Sequence, residues 1–139
     1  MKKVRISYLI MSIAALCAEL FGKGAVCVFA VSPEKTQTTL FSYFSLVPFG
    51  YANFGPFITA VLTSVIVVLS VVLFTKKAQK ITKCLTVLTA AAAAASLLPV
   101  IMLGAAYFNM VSAIISVILV VMAVMTIFIK KEVGKNEAE

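Results

Sequence analysis

Four long apolar runs constrain this chain more than any other feature of its sequence. We place predicted spans at about residues 6–28, 57–75, 84–105 and 107–129. As a helix with a rise of about 1.5 Å per residue, each is long enough to cross the roughly 30 Å hydrocarbon core of a bilayer. Hydrophobic residues make up 63% of the chain, against roughly 45–50% in soluble domains. We therefore predict an all-α, integral membrane four-helix bundle that forms a single domain over 1–139.

The positively charged residues cluster at one set of run ends. Ten of the twelve precede the first run, separate the second from the third or follow the fourth, and only Lys23 and Lys35 lie on the other side. The positive-inside rule then places both termini in the cytoplasm. Lysine outnumbers arginine eleven to one, which indicates an AT-rich bacterial genome and hence the bacterial plasma membrane. Since these cations flank apolar runs and form no basic face, we expect no nucleic-acid binding.

A cleaved signal peptide is the competing interpretation of the first run. Residues 1–5 would be its basic start and residues 28–30 its cleavage site. Signal peptides have an apolar stretch of about 7–15 residues, whereas this run is longer and Glu19 interrupts it. We therefore expect an uncleaved first span.

The longest predicted connection, about residues 32–56, lies outside the cell in this topology. Residues 32–34, Ser-Pro-Glu, resemble a helix start, and Leu40, Phe44 and Val47 then recur at helical spacing. We predict a short helix in the outer interface. An aromatic-rich loop packed on the bundle is an equal alternative, and a threonine-rich strand is a third.

Small hydroxylated residues recur along one face of two runs. Residues 57–74 align with residues 110–127 at a shift of 110 − 57 = 53 positions, with similar side-chain sizes. This repeat suggests a duplicated two-helix hairpin. We predict that the aligned hydroxyls pack helices together, with a path for a small polar solute as the alternative. These residues are Thr59, Thr63 and Ser70 in the second run and Ser112 and Ser116 in the fourth.

Glu19 is the acidic residue inside the first run. It lies fourteen residues after Arg5, or roughly 21 Å along a helix at about 1.5 Å per residue. Ala15 and Gly22 share its helix face, so we predict that the carboxylate faces a close helix contact and not lipid. Two roles stay open. Either Lys23 or a hydroxyl of a neighbouring helix neutralises Glu19 and the group stabilises the bundle, or Glu19, with Lys23 nearby, forms a proton- or cation-binding site.

Residues 18–22, Ala-Glu-Leu-Phe-Gly, resemble the glutamate motif in the first span of small multidrug-resistance transporters. Those proteins also have four spans and exchange protons for cationic drugs at that glutamate. The resemblance covers five residues and implies an exchange role for Glu19. The long loop after the first span departs from the pattern of the family, and we do not assign the chain to it.

The sequence offers little for catalysis or metal binding. It has neither His nor Asp, and its three cysteines, Cys17, Cys27 and Cys84, are far apart. We therefore predict no enzyme activity, no metal and no cofactor. Cys17 and Cys84 are interpreted as small buried thiols of the spans, and Cys27 as the one candidate for a reactive thiol.

These observations favour a non-enzymatic accessory or structural protein of a membrane complex. Its partners would be the lipid bilayer and either another membrane protein or further copies of itself. The alternative is a small proton-coupled transporter or channel that uses Glu19.

Overall fold

The computed structural model describes residues 2–47, 51–74 and 78–136. Its elements, in chain order, are helix α1 (Lys2–Phe21), strands β1 (Ala25–Ser32) and β2 (Lys35–Phe41), helix α2 (Tyr51–Val72), helix α3 (Ala78–Leu103), a 3-10 turn (Ala105–Tyr107) and helix α4 (Met110–Asn136).

The described part of the chain contains four helices that are long and apolar enough to cross a membrane. This finding confirms the prediction of a mostly helical fold with four helices of membrane-spanning length and composition. Helix α1 packs against α2 and α4, and α3 packs against the same two helices. The four therefore form a ring in which α1 and α3 lie diagonally opposite. At one end of the ring, Nη1 of Arg5 lies 3.5 Å from the backbone oxygen of Leu73.

The two ends of the bundle differ in composition. One end carries the exposed lysines that begin α1 and α3 and end α4, and we call it the lysine-rich end. They are Lys3, Lys80, Lys83, Lys130 and Lys131. The opposite end carries the two strands, and we call it the hairpin end. The core between them is mainly apolar, and its large buried side chains include Ile66, Leu73, Leu85, Leu119, Met122 and Ile129.

The first predicted span is shortened by the structure. Helix α1 ends at Phe21, and the segment that was expected to continue it forms β1. Gly22 and Gly24 lie between the two elements, where glycine commonly ends a helix. The sequence that follows, AVCVFAVS, is rich in β-branched and aromatic residues, which favour strands. Apolar composition alone did not distinguish this strand from a helix.

The predicted interfacial helix after residue 32 is wrong. Strand β2 pairs with β1 in an antiparallel hairpin, from Ala25 opposite Phe41 to Ser32 opposite Lys35. Pro33 and Glu34 form its turn, because proline presets the backbone of a turn and stops a strand ladder. Of the three alternatives, the threonine-rich strand is confirmed for Lys35–Phe41.

The other helices begin or end beyond the predicted spans. Helix α2 begins at Tyr51, α3 at Ala78, and α4 continues to Asn136. A helix can continue beyond its apolar run, and the residues added at these ends include the polar Asn53, Gln79 and Lys130. The predicted duplication stays a prediction, although α2 and α4 run in the same direction in the ring.

Helices α2 and α3 approach closely near the hairpin end. Pro99, inside α3, has no N–H and leaves the carbonyl group of Ala95 without its helical donor. Gly55 of α2 faces this carbonyl, and a Cβ atom built on Gly55 would lie 3.3 Å from the oxygen. The absence of a side chain at Gly55 therefore allows the two backbones to meet at the proline.

Candidate functional site

Glu19 lies inside the bundle, in the last turn of α1. Its side chain is fully buried, and Oε1 accepts a hydrogen bond of 2.9 Å from the Thr63 hydroxyl on α2. Oε2 is also buried, and it has no hydrogen-bond partner among the residues that the structure describes. The carboxyl group therefore faces inward, and only one of its two oxygens accepts a hydrogen bond from the described residues, from a neutral hydroxyl.

Lys23 does not neutralise Glu19 in this structure. Helix α1 has ended before Lys23, so the helical spacing of four residues that predicted the pair no longer applies. The Lys23 side chain is exposed, whereas Glu19 is fully buried. Within the described ranges, no lysine or arginine nitrogen lies within 4.0 Å of this carboxylate. The structure therefore shows the second partner considered for Glu19, a hydroxyl of a neighbouring helix.

Tyr43, in the segment after β2, covers the end of α1. Its backbone N–H donates a 3.1 Å hydrogen bond to the backbone oxygen of Glu19, and its ring is buried. The ring packs against Gly24, where a built Cβ atom would lie 2.7 Å from it. Burial raises the pKa of Tyr43 to about 12, and the nearby Glu19 carboxylate also raises it, against a hydrogen bond to Ser112 that lowers it. The phenol therefore stays protonated at neutral pH.

The start of α4 is tied to the end of α1 by two side chains. Asn109 caps α4, since its Oδ1 accepts a 2.9 Å hydrogen bond from the backbone N–H of Ser112. Its amide nitrogen donates to the backbone oxygen of Lys23 over 2.7 Å. The Ser112 hydroxyl donates to the backbone oxygen of Gly24. These bonds satisfy the carbonyl groups that follow α1.

Glu19, Tyr43, Thr63 and Ser112 therefore form one connected group, which we call the hairpin-end cluster. It joins α1, α2, α4 and the segment after β2 through hydrogen bonds between elements. Sequence reasoning placed Glu19, Thr63 and Ser112 on helix contacts, but it did not bring them together.

The five hydroxyls predicted to pack helices are all buried, and they differ in their partners. Thr59 and Ser70 donate to the backbone oxygens of Gly55 and Ile66, four residues earlier in the same helix. Thr63 and Ser112 instead reach other elements. The Ser116 hydroxyl has no hydrogen-bond partner among the described residues. Thr59 and Ser70 are therefore satisfied within their own helix, whereas Thr63 and Ser112 connect different elements.

Ala15 and Gly22, the predicted neighbours of Glu19 on α1, also lie at contacts. Ala15 is fully buried. Gly22 follows the last residue of α1, and a Cβ atom built on it would lie 2.8 Å from Val111 of α4. Both positions allow α1 and its neighbours to come close together.

The cysteines differ from their predicted environments. Cys17 and Cys84 are exposed on the outer faces of α1 and α3, so the prediction of buried thiols is wrong. Cys27 is buried in β1, and its Sγ donates to Oδ1 of Asn53 over 2.8 Å. Burial raises the pKa of the Cys27 thiol, which lowers its thiolate fraction and hence its reactivity.

Sequence reasoning missed Tyr43, Asn109 and the Cys27–Asn53 contact. Asn109 carries a readable signal, since asparagine directly before an apolar run is a common helix cap. Tyr43 carries none, because its role depends on contacts with residues that are distant in sequence. No group of three or more His, Cys, Asp or Glu side chains suited to a metal ion is found in the part of the chain that the structure describes.

Compared with protein-family models, curated proteins and solved structures, the chain matches none. Its function must therefore be inferred from its own residues and their geometry.

Proposed function

We propose that this protein is a non-enzymatic component of the bacterial cytoplasmic membrane that presents its β-hairpin to another membrane protein or to a second copy of itself. The four apolar helices would cross the bilayer. The lysine-rich end would face the cytoplasm together with both termini, because cations concentrate on that side of membrane proteins. The hairpin would then stand on the outer surface.

The observation that carries this proposal is the exposed outer part of the hairpin. Strand β1 is buried at its base, from Ala25 to Cys27, and exposed from Phe29 to Ser32. In this outer part, Phe29 is 37% exposed and Val31 is 65% exposed. The two strands pair with each other in a two-stranded sheet. Among the described residues neither strand pairs with a third strand, and the outer part of β1 exposes the apolar side chains of Phe29 and Val31.

The hairpin-end cluster supports the same role by fixing the base of the hairpin. A two-stranded hairpin has little stability in water by itself. Here Tyr43 joins the end of β2 to α1, and Cys27 joins β1 to α2. The bundle thus holds the exposed part at a defined position.

Site-specific photo-crosslinking in intact cells tests this role. A photoreactive amino acid at Val31 should give a discrete protein adduct or a dimer of the chain. The matched control is the same amino acid at Val121, an exposed valine in the middle of α4. Adducts at Val121 but not at Val31 would contradict the proposal.

A second candidate function, proton or cation exchange at Glu19, is favoured by one observation. Glu19 Oε2 and the Ser116 hydroxyl are both buried without hydrogen-bond partners among the described residues. A proton or a cation would neutralise the carboxylate, and a water molecule would give the hydroxyl a hydrogen-bond partner.

The Glu19→Gln variant separates the two functions. In proteoliposomes, loss of a proton-linked flux with intact assembly would support exchange. Unchanged crosslinking at Val31, together with no flux that depends on Glu19, would support the accessory role.

A further inference from the structure

A pocket at the lysine-rich end lies between the beginning of α3 and the end of α4. Its volume is about 140 Å³. Both helices contribute three residues: Gln79, Thr82 and Lys83 from α3, and Lys130, Val133 and Gly134 from α4. None of these residues belongs to the hairpin-end cluster.

The lining of the pocket combines two cationic residues with neutral ones. Lys83 and Lys130 are exposed, whereas Thr82 and Val133 are buried. No carboxylate lies within 4.0 Å of either amine in the described ranges, and Glu132 on α4 is not among the lining residues. Two lysines that line one pocket without a carboxylate partner within 4.0 Å among the described residues favour an anionic ligand.

The size of the pocket limits the ligand. A cavity of about 150 Å³ accommodates a molecule the size of benzene. A phosphate group with a small substituent is therefore compatible with the pocket, whereas a whole nucleotide is too large.

The position of the pocket indicates where the phosphate comes from. Gln79 and Gly134 mark the ends of two of the candidate membrane spans, at the level where lipid headgroups lie if these helices cross a bilayer. Basic pockets between helices on the cytoplasmic side are known to bind anionic headgroups. We propose that this pocket binds the phosphate of an anionic phospholipid headgroup through Lys83 and Lys130. This proposal rests on the placement of the helices in a membrane and not on the partner of the hairpin.

Thermal unfolding of the full chain in nonionic detergent tests the proposal. A ligand that binds only the folded state raises the unfolding temperature with its concentration. Phosphatidylglycerol should therefore stabilise the protein, and phosphatidylcholine with the same acyl chains should not. Absence of stabilisation by phosphatidylglycerol would overturn the proposal. If inorganic phosphate stabilised the protein and phosphatidylglycerol did not, the ligand would be free phosphate and not a lipid headgroup.

The chain offers a matched control for the charges. Lys83→Gln/Lys130→Gln changes the pocket, and Lys80→Gln/Lys131→Gln changes exposed lysines of the same two helices that do not line it. Both pairs reduce the net charge from +7 to 7 − 2 = +5. We expect the first pair to raise the half-saturating phosphatidylglycerol concentration about tenfold more than the second, because only the first loses charge-assisted hydrogen bonds. Equal losses would indicate diffuse attraction and would overturn the site.

Gly134→Phe provides a test that leaves all charges in place. A Cβ atom built on Gly134 meets no atom within 4 Å, so a larger side chain has room there. Because Gly134 lines the pocket, we expect a phenylalanine at this position to obstruct ligand binding. This variant should unfold at the wild-type temperature without lipid and should lose most of the stabilisation by phosphatidylglycerol. Full retention of that stabilisation would place the lipid elsewhere.

Discussion

The two ends of the bundle are held together by different forces. At the hairpin end, buried polar groups bond across elements: Glu19 to Thr63, Tyr43 to the end of α1, and Ser112 to Gly24. Toward the lysine-rich end, the buried residues are mostly large and apolar, and hydroxyls such as Ser70 bond to their own helix. In this bundle apolar packing predominates toward the lysine-rich end, whereas hydrogen bonds between elements are concentrated where the hairpin and the segment after it join the helices.

One polar contact near the middle of the bundle differs from the Glu19 contact. Tyr8 reaches diagonally from α1 to α3, and its hydroxyl lies 2.6 Å from that of Thr89. Thr89 donates to the backbone oxygen of Leu85 over 2.7 Å, so its single hydrogen is used and Tyr8 is the donor between the two hydroxyls. This chain of bonds uses both hydroxyl hydrogens, in contrast to Glu19, whose Oε2 has no partner among the described residues.

The largest effect is expected in the apolar region. Leu85→Ala should lower the free energy of unfolding in detergent by about 2–5 kcal/mol, because it leaves a cavity in a close-packed core. Val87→Ala, two residues away and 69% exposed, is the matched control and should change it much less. Similar losses for both variants would contradict the assignment of this region to the core.

Glu19 should tolerate an amide better than truncation. Glu19→Gln keeps an acceptor for Thr63 and removes the cost of burying a carboxylate charge, so its free energy of unfolding should equal or exceed that of the wild type. Glu19→Ala should lose about 1–3 kcal/mol, because it removes a buried hydrogen bond and its volume. A large loss in the glutamine variant would instead show that the carboxylate charge itself stabilises the bundle.

Thr63 and Thr59 form a matched pair, one turn apart on α2. Thr63→Val should cost about 1–2 kcal/mol, because it leaves the buried Glu19 carboxyl without its donor. Thr59→Val removes a bond within one helix and should cost less. The free energy of unfolding of each variant in detergent tests this order. A larger loss for Thr59→Val than for Thr63→Val would contradict the role of Thr63 in the hairpin-end cluster.

Tyr8→Phe should have a smaller effect, about 0.6 kcal/mol, which is typical of a hydrogen bond between helices in a membrane protein. Thr89 keeps its bond to Leu85 in this variant. A loss as large as that of Leu85→Ala would show that the Tyr8 contact, and not apolar packing, dominates this part of the bundle.

The smallest effect on stability is expected at the base of the hairpin, and the measurement there is the rate at which Cys27 reacts with a thiol reagent. In a Cys17→Ser/Cys84→Ser background, Cys27 should react with a maleimide slowly in the folded protein, because burial shields the thiol and raises its pKa. Asn53→Ala should speed labelling without unfolding the chain. Rapid labelling of the parent would show that the base of the hairpin opens readily.

The sequence made the four helices and the inward position of Glu19 predictable, because run length and the small residues Ala15 and Gly22 are local signals. The hairpin was not predictable with the same certainty. Leu40, Phe44 and Val47 matched helical spacing by coincidence, while the threonines and valines around them favoured strands. The partner of Glu19 depended on where α1 ended, since the lysine one turn later could pair with it only if the helix continued.

The base of the hairpin is fixed to two helices, through Tyr43 to α1 and through Cys27 to α2. Those two helices are also the ones that share the Glu19–Thr63 bond. A displacement of the hairpin would therefore move α1 relative to α2 at the point where Glu19 and Thr63 are hydrogen-bonded. Binding of a partner at the hairpin would then be coupled to the position of the Glu19 side chain.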